Sequence, residues 1–175
     1  MLIERDTPSL THNGRNETRL ERCDRNLVEL LQEVRVVQTG VQILFAFLLM
    51  APLTDAFAGL SSLQRAEYYV TLALAGAAAM LLIAPTAYHR VLFRQGDKEY
   101  LVSVANRLTI AGLAAVGMSM VGAMLFVTGV LFGQTAAMLA ALIAGGACLL
   151  LWCALPLARR RTVLRSRAGA RPPRA

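Results

Sequence analysis

Thr71-Leu-Ala-Leu-Ala-Gly-Ala-Ala-Ala-Met80 carries no charge and no polar alternation, so it is apolar on every face of whatever element it forms. A membrane β-strand would alternate polar and apolar residues over about ten positions. A stretch like this one crosses a bilayer as helix, the form that satisfies its backbone polar groups within the segment. It lies inside a longer apolar run from Tyr68 to Tyr88. Three runs of the same kind accompany it, Val36 to Leu53, Leu108 to Phe132 and Thr135 to Leu157. A hydrocarbon core of about 30 Å needs about 20 helical residues, with about 17 to 25 as the working range, and each run falls within it. The expected fold is therefore an all-α membrane protein, a four-transmembrane-helix bundle.

Composition agrees. Of the 175 residues 56% are hydrophobic and only 17% charged, with a mean hydropathy of +0.51, too little charge for the surface of an ordinary soluble domain. The first 35 residues hold Arg, Glu, Asp and Asn throughout, without the apolar core of a cleaved signal peptide. Cys23, Cys148 and Cys153 are too few for a disulfide framework and are read as packing residues.

The basic residues set the expected orientation. Six precede or open the first span (Arg5, Arg15, Arg19, Arg22, Arg25, Arg35), four lie between the second and third (Arg90, Arg94, Lys98, Arg107), and seven follow the fourth. Only Arg65 falls on the other side. By the positive-inside rule both termini are cytoplasmic and the chain is a multi-pass protein of the plasma membrane. The tail Arg159-Arg-Arg-Thr-Val-Leu-Arg-Ser-Arg-Ala-Gly-Ala-Arg-Pro-Pro-Arg174 is expected to meet anionic lipid headgroups, at about 1 kcal/mol per charge near the surface, rather than nucleic acid.

The chain then divides into a disordered N-terminus, 1–16, a four-helix membrane domain, 17–157, with spans near 36–53, 68–88, 108–132 and 135–157, and a basic tail, 158–175. Leu20, Cys23, Leu27, Leu30, Val34, Val37, Val41, Leu44 and Leu48 recur at alternating spacings of three and four. That is the seam of one helix packed on another, and it crosses the membrane boundary without a break. The first span is thus the membrane part of a helix from about Glu17 to Pro52, on the order of 50 Å long, with a cytoplasmic extension whose outer face carries Glu21, Arg25, Glu29 and Glu33. Two readings of the extension stand side by side. It lies on the membrane surface or against the inner loop of the same chain, or it forms a coiled-coil contact with another copy.

Short residues at spacings of four, Ala73 and Ala77, Ala115, Ser119 and Ala123, and Ala136, Ala140 and Ala144, predict close approach of the helix backbones. Loops are expected from Thr54 to Glu67, from His89 to Arg107 with a turn at Gly96-Asp97, and at Gly133-Gln134. Threading this topology brings polar residues to one depth on the cytoplasmic side. Glu33 and Arg35 sit just before the first span, and Gln38 and Gln42 occupy one face of its start; His89, Arg90 and Arg94 follow the second span, and Asn106 and Arg107 open the third. Amides in hydrocarbon need partners on neighbouring helices, so this layer is either interhelical glue with snorkelling arginines or a shallow vestibule. Pro85 withdraws a hydrogen bond from the carbonyl of Leu81, which would kink the second span or leave an acceptor for that layer.

Inside the spans there is no Asp or Glu, the groups on which proton-coupled carriers usually depend. No metal-ligand cluster, haem-ligand pair, phosphate loop or nucleophile motif is present, so neither an enzyme nor a cofactor is expected.

Three stretches resemble a known family: Glu33-Val-Arg-Val-Val-Gln-Thr-Gly-Val-Gln-Ile-Leu-Phe-Ala-Phe-Leu48, Ala84-Pro-Thr-Ala-Tyr-His-Arg-Val-Leu-Phe-Arg94 and Ala105-Asn-Arg-Leu108. They look like an uncharacterised family of small actinobacterial membrane proteins with four spans, a domain of unknown function, over about Glu17 to Leu157. Some of its members carry an automatic label of sodium:proton antiporter. Two functions follow as expectations. The first is a non-enzymatic protein that self-associates or binds a protein partner through residues 17–35. The alternative is a small oligomeric cation, proton or solute transporter, similar in size to the small multidrug transporters but with Gln38 and Gln42 where those have a glutamate in the first helix.

Overall fold

The computed structural model describes residues 19–91 and 98–169. It is helical throughout, and no strand occurs among the described residues. The helices are α1 (Arg19–Met50), α2 (Asp55–Ala58), α3 (Ser62–Val91), α4 (Lys98–Phe132), α5 (Gln134–Leu149) and α6 (Leu155–Gly169). A 3₁₀ turn, Ala51–Leu53, follows α1, and a π-helical turn, Leu150–Ala154, joins α5 to α6. Four stretches are long and apolar enough to cross a membrane: Glu21–Leu53, Ser62–Val91, Tyr100–Phe132 and Gln134–Thr162.

The chain forms two compact units. The first comprises residues up to Thr54 together with Leu72–Val116, so it holds α1, the later part of α3 and the first half of α4. Its core is built on the seam of α1. Leu27, Val34, Val41 and Leu48, seven residues apart, are the buried residues of that helix from Glu21 onward, at 2–7% exposure. Val34 and Val41 pack with Ala78 and Leu82 of α3 and Ala115 and Val116 of α4, flanked by Leu30, Val37 and Ala79. Leu27 packs with Leu101 and Ala105 of α4. The seam of the extension is therefore covered from within the chain. Within the chain, α4 is the element that covers it, at Leu27 and Leu30.

Gly112 sets how closely α4 approaches α3. A Cβ there would stand 2.8 Å from Cγ and Cδ2 of Leu82, so only glycine admits this leucine.

The second unit comprises Asp55–Thr71 and the chain from Gly117 onward. Tyr68 is fully buried, with Phe57 at 5.0 Å and Phe126 at 5.6 Å between ring centroids. The Ser119 hydroxyl donates to the Thr71 carbonyl at 3.1 Å, and Thr71 Oγ1 donates to the Glu67 carbonyl at 2.7 Å. These two are the buried polar side chains among the described residues, and both are satisfied. Gly133, at φ +85°, makes the hairpin between α4 and α5, a backbone conformation that favours glycine. The α5 helix buries only Ala137. Leu142 and Ile143 are 73% and 72% exposed and Phe132 75%, side chains that suit contact with lipid tails and would be costly against water.

Two loops are shorter than the sequence suggests. The outer one is interrupted by α2, and α3 begins at Ser62 because Ser61 and Gln64 cap it reciprocally. The Gln64 N–H donates to Ser61 Oγ at 3.3 Å, and the Ser61 N–H to Gln64 Oε1 at 3.0 Å, the capping box of Ser-x-x-Gln. In the inner connection α3 runs to Val91 and α4 starts at Lys98, because Leu101 and Ala105 share a face that α1 buries. The turn expected at Gly96-Asp97, the N-terminus 1–16 and Arg94 lie outside the described residues. Pro85 is buried and α3 continues through it.

Candidate functional site

The start of α1 and the start of α4 are both amphipathic, and packing Leu27 on Leu101 and Ala105 fixes their mutual rotation. That rotation decides which polar residues meet. On α1, Asn26, Glu29 and Glu33 follow one another at three and four residues, on the flank of the seam. On α4, Ser103 and Asn106 are three apart. Together with Leu30 and Val102 they line an open groove of about 380 Å³. One wall carries two carboxylates, and the opposite wall offers a hydroxyl and an amide. Glu29 also takes a hydrogen-bonded ion pair from Arg25 Nη1 at 3.1 Å, one turn earlier on α1, an exposed pair worth about 0.3–0.5 kcal/mol. Chemically, the groove offers carboxylate acceptors on one wall and groups that both donate and accept on the other.

Deeper along α1, Gln38 is half-buried and its Nε2 donates to the Leu82 carbonyl of α3 at 2.9 Å. The acceptor is the neighbour of the Leu81 carbonyl, whose ladder bond Pro85 removes, so the amide reinforces α3 where its own hydrogen bonding is thinnest. Gln38→Leu should lower stability by about 1–2 kcal/mol, the upper part of the range for interhelical hydrogen bonds in membranes. An unfolding titration in detergent and SDS reads this, and an unchanged midpoint would contradict the role.

The nine residues proposed from sequence thus separate. Glu33 and Asn106 share the groove, and Gln38 forms the interhelical bond. Arg35, Gln42, Arg90 and Arg107 are exposed and lie outside the groove lining, while His89 is half-buried. Asn26, Glu29 and Ser103 were not among the nine. Glu29 and Glu33 are exposed, as expected of the outer face of the extension, and they also line the groove beside α4. The signal that could have found them is the shared spacing of Asn26, Glu29 and Glu33 with the opposed pair Ser103 and Asn106. Among the described residues no group of three or more His, Cys, Asp or Glu could hold a metal ion. The three cysteines are free; Cys23 and Cys148 are half-buried, and Cys153 is exposed, so packing within this chain describes only the first two.

The matched family model covers residues 16–156, and so takes in α1 from its first residue, both walls of the groove, three of the four apolar stretches and most of the fourth. The chain belongs to the family of unknown function DUF6328. The match begins just before α1 and ends at the start of α6, just past the π-helical turn, so the DUF6328 unit includes the extension together with the apolar helices. No curated protein and no solved structure matches the chain.

Proposed function

We propose that this DUF6328 protein is a non-enzymatic, multi-pass protein of the plasma membrane that acts by association, with another copy or with a protein partner, through α1. The observation that supports this reading is the placement of polar chemistry. The buried polar residues among those described, Thr71 and Ser119, are bonded within their own unit. One cluster of accessible polar groups, Asn26, Glu29, Glu33, Ser103 and Asn106, lines the groove at the end of α1 that carries the basic residues. Groups arranged in this way present a surface. The positive-inside rule puts that surface and both termini in the cytoplasm, with the tail on anionic headgroups. Val28, 55% exposed on the same part of α1, offers apolar contact beside the groove.

A photo-reactive residue placed at Val28 in intact membranes should give adducts of defined higher mass on irradiation. Monomer alone, at Val28 and at Gln32, would overturn the reading. The second reading is proton or cation transport, as in an antiporter, favoured by the two carboxylates open to one side. Proteoliposomes should show no pH- or sodium-driven proton flux above empty vesicles; flux that falls in His89→Ala or Gln42→Leu would establish transport instead.

A further inference from the structure

The seam of α1 is used within the chain, which leaves its other face open. Along that face Gln32, Arg35, Thr39, Gln42, Ala46 and Leu49 follow at alternating three and four residues, and all six are exposed. The stripe has polar side chains well into the membrane. The apolar stretch containing α1 ends at Leu53, before Thr54 and Asp55, and Gln42 is eleven residues short of that end, about 16 Å at helical rise. In a hydrocarbon core of about 30 Å this is close to the midplane. Arg35 lies about 27 Å from the same end, at headgroup depth, where its long side chain reaches phosphates.

The two polar residues in hydrocarbon differ in one respect. Thr39 Oγ1 donates to the Arg35 carbonyl at 3.2 Å, so it is satisfied by its own helix. Gln42 is exposed and makes no hydrogen bond among the described residues. An unpaired primary amide in lipid is costly, because tails offer neither donor nor acceptor. Gln38, one turn away, finds a carbonyl on α3; Gln42 stays exposed.

We propose that Gln42 pairs with Gln42 of a second copy of this chain, in a two-fold dimer of parallel α1 helices. This deepens the association reading above, on which it rests, by naming the partner and the contact. Three features point to a second copy. A carboxamide is donor and acceptor at once, so it is complementary to itself across a two-fold axis, where each residue meets its own equivalent. A second copy inserted in the same orientation holds its amide at the same depth by construction. Thr39 and Ala46, which flank Gln42 on the stripe, are short enough to let two backbones approach. The apolar residues beside them, Ile43 and Phe47, are 54% and 73% exposed and would close over the pair.

The test uses the full chain, with Cys23, Cys148 and Cys153 replaced by alanine, in membranes and in lipid nanodiscs. Ala46→Cys should give a disulfide-linked dimer on mild oxidation, whereas Val37→Cys, on the inward seam, should not. Gln42→Leu should weaken dimerisation by about five- to thirty-fold in energy-transfer titrations in bilayers, the range expected for one interhelical amide contact. Gln42→Asn, which keeps the amide, should retain more than half of the dimer. Because Gln42 is exposed, Gln42→Leu should keep its helical circular dichroism. A protein that stays dimeric with Gln42→Leu at full affinity would overturn this interface and leave the association reading standing. A protein that is monomeric yet crosslinks at Val28 to a different protein would overturn the dimer alone. Monomer in every assay would overturn both.

Discussion

Gly122→Leu is expected to abolish the folded protein, and Gly122→Ala to lower its stability by about 1–3 kcal/mol, the cost of an overpacked methyl. A Cβ at Gly122 would collide with Thr71 Oγ1 and come within 3.3 Å of Thr71 Cβ and Cγ2. Thr71 cannot yield. It is β-branched, with χ1 held by the bond from its hydroxyl to Glu67, and its carbonyl receives the Ser119 hydroxyl. Pushing Thr71 aside would strand buried polar groups in an apolar interior. Leucine adds three further carbons to the same collision, against a total stability of about 5–15 kcal/mol for a typical domain. Gly146 supplies the control, because a Cβ there meets nothing within 4 Å. Gly146→Ala should leave the unfolding midpoint unchanged or slightly raised, and equal losses at both glycines would show that the contact with Thr71 is not the cause.

Leu82→Ala is expected to cost about 2–4 kcal/mol. Leu82 is fully buried among Val34, Val41, Ala78 and Ala115. Between membrane helices the lipid is as apolar as the leucine, so the loss is mainly one of packing contacts in the cavity left behind. Gly112 makes a sharper test available. Its missing Cβ is the space that Leu82 occupies, 2.8 Å away, so Gly112→Ala alone should destabilise by overpacking. In the Leu82→Ala background the same alanine should help fill the cavity. The double variant is therefore expected to lose less than the sum of the single losses, and strict additivity would contradict the direct contact.

How far the fold was legible varied with the helix. The α1 seam could be read residue by residue because polar and apolar positions alternate with helical period. Leu27, Val34, Val41 and Leu48 proved to be its buried residues. The demand of Gln38 for a partner on another helix was equally legible, since an amide in hydrocarbon has few alternatives. The inward faces of α3 and α5 were not. A span that is apolar on every side carries no moment to say which side packs and which meets lipid. Short residues were the remaining guide. They succeeded on α4, where Ala115 and Ser119 are buried, and missed on α3, where Ala73 is exposed and Thr71, Ala75, Ala78 and Leu82 form the inner face. The groove was hidden for a different reason. Glu29 and Glu33 read as a solvated face and are exposed, but that they also line a groove follows only from the rotation of α4, which depends on Leu101 and Ala105, residues far away in sequence. The Ser61–Gln64 capping box was present in the sequence, and it marks the start of α3 that hydropathy alone placed too late.

The proposed association through α1 would unite these observations, since this helix spends one face on the chain's own core and carries the exposed amide of Gln42 on another. Subunit counting tests it most directly: fluorophore-labelled full-length protein, dilute in a planar lipid bilayer, bleached one molecule at a time. The account predicts two bleaching steps per spot, falling to one for Gln42→Leu at the same density. Single steps for the unsubstituted protein in the absence of any bound partner would contradict it.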